Sequence, residues 1–158
     1  MLEIPIKQNS MALKVCFIFA IILFTYGTYR ACVVGFTWDE SFSYLNYSRN
    51  KIFMLEHLSM MDANNHLLNT WSNIFLIKLF GVNQIVLRLP SLISHILFLF
   101  YSYKIVAKLQ NSLLIIFGFI IINFNPYVLD FFSLSRGYGL SLGLMVASVY
   151  WLFRYFEI

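Results

Sequence analysis

The residues able to do chemistry in this chain fall in a few places: Asp39 and Glu40; Asp62, Asn64, Asn65 and His66; Arg88; and Arg136 with Tyr138. Of the seven acidic residues, four (Asp39, Glu40, Glu56 and Asp62) lie within the polar stretch 37–65. A carboxylate can take the proton of an attacking hydroxyl. Arginines can hold a phosphate through bidentate, charge-assisted hydrogen bonds. Together these groups suit transfer of a group from a lipid phosphate to an acceptor hydroxyl, although transporters line their cavities with the same residue types. A metal centre would need three or four convergent His, Cys or carboxylate ligands, and no such spacing is present. Cys16 and Cys32 bracket no loop, so neither a disulfide framework nor a zinc site is indicated. No cofactor is expected.

Each candidate also has a purely structural reading. Glu40 stands three residues after Thr37, the capping-box spacing, and suits a helix cap as well as a catalytic role. Asp39 would then sit in the first helical turn, where the helix dipole favours a negative charge. Asp62 fits a turn as well as a substrate contact. His66 reads as a polar residue at an interface or as a ligand, and Arg88 as a headgroup anchor or a phosphate ligand. His57 and His95 read as structural.

The elements that must position these residues are membrane helices. The 158 residues are 60% hydrophobic and only 11% charged, with a mean hydropathy of +0.75. A soluble domain carries roughly 25% charged residues, and disorder needs low hydrophobicity with high charge, so both classes are excluded. The net charge is +4, but the basic residues form no cluster, which argues against nucleic-acid binding.

Val15 to about Phe36 is apolar apart from Arg30 and long enough to span, with Arg30 reaching back to the far interface. It has no cleavage site of signal-peptide type and reads as a retained span. Residues 37 to about 58 follow as a capped helix, and Asn64-Asn65 as a turn. Residues 66–80 are short for a span. Asn69, Thr70 and Asn73 share one face and Leu67, Leu68, Trp71, Ile74 and Phe75 the other, which predicts an amphipathic helix lying in the interface. Further spans are expected over about 87–107, with Pro90 in its first turn, over 113–132, kinked at Asn123, Asn125 and Pro126, and from the turn 133–139 to about Tyr155. This reading gathers Lys7, Lys14, Lys104, Lys108 and Arg154 on the cytoplasmic side and the candidate site on the other, and it leaves Arg49, Lys51, Lys78 and Arg88 outside, so the positive-inside rule is met in part. The expectation is one all-α domain over 1–158, with about four spans.

Five motifs in order, Trp38-Asp39-Glu40, Asp62-Ala63-Asn64-Asn65-His66, Leu79-Phe80-Gly81-Val82-Asn83, Arg88-Leu89-Pro90-Ser91 and Ser135-Arg136-Gly137-Tyr138-Gly139, resemble the amino-terminal region of GT-C glycosyltransferases. The similarity covers about residues 12–156 and is greatest to the branch of protein O-mannosyltransferases and lipid A aminoarabinose transferases. The resemblance implies an integral enzyme of a bacterial inner membrane with its site on the extracytoplasmic side. It implies a polyprenyl-phosphate sugar donor, a lipid, glycan or protein acceptor, inversion at the anomeric carbon, and Asp39 as the base. It also implies two interfacial helices in the first outer loop, at 38–58 and 66–80. Where such enzymes commonly read His-Pro-Pro or Lys-Pro-Pro, this chain reads Asn65-His66-Leu67. Family members have many more helices, so the resemblance also implies that the chain is the amino-terminal part of a larger transferase, completed by a carboxy-terminal part or another subunit. The competing expectation is a non-catalytic membrane subunit or a transporter component.

Overall fold

The computed structural model describes residues 6–51 and 66–156. Asp62, Asn64 and Asn65 therefore lie outside the described residues, as does the distal part of the helix expected over 37–58. Every described element is helical, in the order α1 (Ile6–Val33), α2 (Trp38–Ser43), a π-helical turn (Tyr44–Ser48), α3 (Leu67–Phe80), α4 (Gln84–Val106), α5 (Ser112–Asn123), α6 (Pro126–Ser133) and α7 (Gly137–Phe156).

Three helices, Asn9–Val33 within α1, α4 and α7, are long and apolar enough to cross a membrane, and α5 with α6 makes a fourth if the bent pair is one span. Only 22% of the apolar window of α1 is buried inside the protein. Its Phe17, Ile18, Ile21 and Ile22 face outward, a surface that water would penalise and lipid accepts. The interior carries polar groups instead: Arg88, Ser91, Ser94, His95 and Ser102 of α4 are all buried. Apolar outside and polar within is the distribution of a helix bundle in hydrocarbon.

Asparagines set the helix starts. The side chain of Asn83 accepts from the Ile85 amide at 2.9 Å, that of Asn111 from Leu113 at 2.8 Å, and that of Asn125 from Tyr127 at 3.0 Å. Each satisfies one of the amides a helix leaves free at its first turn. The Asn83 cap starts α4 three residues before the expected Leu87, so Pro90 sits inside the helix rather than in its first turn. The break expected near Asn125-Pro126 is present. Proline has no amide hydrogen to continue α5 and suits the first position of a new helix, and α6 leaves at 56° to α5.

The Thr37 cap is present too, but α2 is shorter than expected. It passes after Ser43 into a π turn closed by Arg49 N to Tyr44 O at 2.8 Å. The side chains of Asn46 and Asn50 donate to the carbonyls of Phe42 and Leu45 at 2.9 and 3.0 Å, competing with the helical ladder. The chain then turns at Lys51, whose φ is 54°.

An apolar core joins Ala12, Cys16 and Leu23 of α1 to Leu99 and Val106 of α4, Ile115 and Phe119 of α5 and Leu129 of α6. At the other side α7 packs on α4 through Gly139 and Gly143. A Cβ at Gly143 would come within 2.1 Å of Ser94 Oγ, and Ser94 donates to the Gly139 carbonyl at 2.8 Å. This is the close backbone approach that a small-xxx-small pair permits. The result places the ends of α1 and α6 and the starts of α2, α3, α4 and α7 around a single polar cluster at one end of the bundle. Lys14, Lys104 and Lys108 lie toward the opposite end, with Arg154 in the last turn of α7.

Candidate functional site

Asp39 and Glu40 are neighbours on α2, and successive helical residues point about 100° apart. One carboxylate therefore faces the protein and the other its surface. The inward one is Glu40, which is 1% exposed. Its Oε1 accepts from Arg88 Nε at 2.8 Å and from the Ser135 amide at 2.6 Å. Its Oε2 accepts from an Arg88 terminal nitrogen at 2.7 Å, from the Thr37 amide at 2.9 Å and from Thr37 Oγ1 at 3.0 Å.

Arg88, fully buried, gives its other donors to the carbonyls of Ala31 and Val34, both at 2.8 Å, and Gly35 at 3.0 Å. All five guanidinium hydrogens are thus used inside the protein. This accounts for an arginine in a bundle interior: it ties off the carbonyls freed where α1 ends, and Glu40 balances its charge. Burial alone would raise the Glu40 carboxyl, but Arg88, the Ser135 amide and Thr37 together outweigh it and hold the group below its ordinary value. The pair clamps α1, α2, α4 and the α6–α7 turn together, and leaves Arg88 no donor with which to grip a phosphate. Gln84 adds to the clamp, donating to the carbonyls of Ala31 and Val34 at 3.3 and 2.6 Å.

Asp39 faces the surface, and its Oδ2 lies 2.7 Å from a terminal nitrogen of Arg136, with 32% and 27% of the two side chains exposed. The carboxylate and guanidinium that the sequence suggested for one pocket are in contact. Arg136 sits over the ring of Tyr138 at 5.2 Å, and Tyr138 meets the His66 imidazole edge-on at 4.5 Å. His66, the N-cap of α3, packs so closely on Gly137 that a Cβ there would come within 2.2 Å of it. Burial, and then the positive charge of Arg136, push the imidazole below its ordinary value, so near neutral pH it is uncharged. Arg136 Nε and His66 Nε2 are both buried without a hydrogen-bond partner among the described residues. Four of the sequence candidates, Asp39, His66, Arg136 and Tyr138, thus form one half-exposed cluster, while Glu40 and Arg88 form a buried clamp behind it.

Helix α3 is divided as expected, but its polar face turns inward. Asn69, Thr70 and Asn73 are buried, and the amides of Asn69 and Asn73 donate to the Ser135 carbonyl and hydroxyl at 3.4 and 3.1 Å. Leu67, Leu68, Trp71 and Phe75 are exposed. Ser135, which supplies an amide to Glu40 and two acceptors to α3, carried no signal in the sequence beyond its place in the turn. Arg30 also departs from expectation: it reaches Asp130 of α6 at 2.9 Å rather than only the interface. The signal was available, because Asp130 is the only acidic residue of the apolar stretch 113–132 and a charge there needs a partner. No three His, Cys, Asp or Glu side chains converge among the described residues.

Comparison of the chain with known protein families, with curated proteins and with solved structures finds no match.

Proposed function

We propose that the chain is a GT-C-type glycosyltransferase, or the amino-terminal part of one, moving a sugar from a polyprenyl-phosphate donor to a hydroxyl of a lipid, glycan or protein. The reading rests on one observation: a carboxylate and a guanidinium, both partly exposed, lie 2.7 Å apart at one end of the bundle. Asp39 takes the proton of the acceptor hydroxyl, whose oxygen attacks the anomeric carbon from the face opposite the phosphate. The carbon–oxygen bond to the phosphate breaks, and the polyprenyl phosphate departs with the electron pair and inverted stereochemistry left behind. Arg136 neutralises that leaving group, exchanging its contact with Asp39 for one with phosphate. Tyr138 and the uncharged His66 border the donor, and the sequence adds Asp62, Asn64 and Asn65, which lie outside the described residues, as further donor or acceptor contacts. The cationic residues Lys14, Lys104, Lys108 and Arg154 at one end support a cytoplasmic assignment of that end, and the resemblance supports reading the other end, with the cluster, as the extracytoplasmic face of a bacterial inner membrane. There α3 lies along the interface, with its apolar face in lipid.

One feature favours a second reading, a non-catalytic membrane subunit or transporter component. Asp39 and Arg136 neutralise each other, as Arg30 and Asp130 do, which a purely tethering pair would also do. Radiolabelled polyprenyl-phosphate sugar, supplied to membranes holding the chain with any carboxy-terminal part or partner subunit, separates the two. The transferase reading expects label in the acceptor, a loss of about 10²–10⁴ in Asp39→Asn, and unchanged rates in Asp130→Asn. Equal transfer by wild type and Asp39→Asn refutes the base. No transfer, with no donor bound, leaves the subunit reading.

A further inference from the structure

At the opposite end of the bundle, away from the Asp39 cluster, an open furrow follows the seam between α1 and α4. Its deeper part is a hollow of about 590 Å³, walled by Phe17, Ile21 and Phe24 of α1 and by Ile96, Phe100 and Tyr103 of α4. Its outer part, about 630 Å³, shares Phe17 and Tyr103 and is bordered by Asn9, Ser10 and Lys14. Lys104 lies on the rim of the deeper hollow, with its ammonium held over the Phe100 ring at 5.5 Å. Lys14 and Lys104 are exposed, and neither has a carboxylate partner among the described residues.

The dimensions match a bilayer leaflet. From Lys14 to Phe24 is ten residues, about 15 Å at 1.5 Å per residue, which is half of a hydrocarbon core about 30 Å thick. The furrow is thus cationic and hydrogen-bonding at headgroup depth and predominantly apolar below it. Two ammonium groups without a carboxylate partner among the described residues, at the mouth of an apolar slot, complement one occupant: a lipid with an acyl chain and an anionic phosphate head.

We propose that the α1–α4 furrow is a binding site for an anionic glycerophospholipid of the leaflet at the Lys14 and Lys104 end. The phosphate sits between the two ammonium groups, near Asn9 and Ser10, and one acyl chain lies along Phe17 and Phe100 toward Phe24. This site is independent of the transferase reading, since it shares no residue with the cluster around Asp39.

Native mass spectrometry of the full chain, released from detergent and titrated with phosphatidylglycerol or phosphatidylcholine, tests it. The expected result is one phosphatidylglycerol bound preferentially. Affinity falls roughly fivefold for each of Lys14→Gln and Lys104→Gln, with little change for phosphatidylcholine. Ile21→Trp with Ile96→Trp crowds the slot from both walls at exposed positions, leaving the core intact, and should weaken binding as well; circular dichroism checks that each variant keeps its helix content. Equal binding of both lipids, unaltered by the lysine changes, overturns the proposal. So does binding that depends on the lysines but ignores the two tryptophans, which would mark surface attraction only. A dimer broken by the same variants, with no lipid bound, would assign the furrow to a second copy of the chain and also overturn it.

Discussion

Replacing Glu40 by glutamine should unfold this protein far more readily than replacing its neighbour Asp39 by asparagine, though both changes remove one oxygen's charge. Glu40 accepts five hydrogen bonds in a fully buried site. A glutamine amide there would turn two donor hydrogens toward Arg88 and Thr37 or Ser135, all of which are donors, and leave a buried guanidinium without its counter-charge. Breaking a buried pair in this way costs about 3–5 kcal/mol. The Asp39–Arg136 pair is about a third exposed, so solvent screens it, and its loss costs about 0–1 kcal/mol.

Arg88→Met should match Glu40→Gln, since it strands the carboxylate and the Gly35 carbonyl and leaves the carbonyls of Ala31 and Val34 to Gln84 alone. The double variant should cost about as much as either single change, because the clamp fails as a unit. It should not recover to wild type, since the carbonyls of Ala31, Val34 and Gly35 still lack their Arg88 donors, at about 0.5–1.5 kcal/mol for each lost hydrogen bond. Unfolding in mixed micelles with rising SDS, followed by circular dichroism, reads all four corners of the cycle. A Glu40→Gln cost below 1 kcal/mol, or additive single changes, would refute the clamp.

The same carboxylate makes an acid-stability prediction. Its folded pKa lies below the ordinary 4.5, so its contribution is complete above that value and is lost as pH falls through the folded one; an acid titration of unfolding should lose this step in Glu40→Gln. His66 titrates below 6.5 because of burial and then Arg136; nitrogen-15 imidazole shifts should show the neutral form persisting below that pH. Arg136→Gln should raise its pKa part of the way back, and an unchanged or lower value would contradict the assigned cause. Because the folded state resists the proton, this histidine stabilises above 6.5 and ceases to as pH falls through its folded pKa. Gly143→Ala pushes a methyl to within 2.1 Å of Ser94 Oγ and should cost about 1–3 kcal/mol by forcing α7 off α4, read by the same SDS titration.

Much of the architecture was legible because its causes are local. Runs of apolar residues mark the helices by length alone, and Asn125-Pro126 must interrupt a helix wherever it occurs. The Thr37-x-x-Glu40 cap is likewise a matter of four residues. The start of α4 is ambiguous in the sequence because Asn83 as a cap competes with Pro90 as a first-turn residue, and the two signals lie seven positions apart. The short α2 followed from asparagines competing with the backbone, a balance that composition leaves undecided. The partners of Arg88 and the inward face of α3 were not legible, since their acceptors come from residues 31–40 and 135, far along the chain.

The adjacent carboxylates show where the boundary falls. Their presence, and the cap spacing of the second, belong to the linear order of residues. That Glu40 turns inward to Arg88 while Asp39 stays at the surface with Arg136 is set by how α2 rolls against α4 and the α6–α7 turn. Local signals bias a backbone through a few neighbouring bonds. The assignment of a buried charge to its partner depends instead on which helices pack together, and that is a property of the whole bundle.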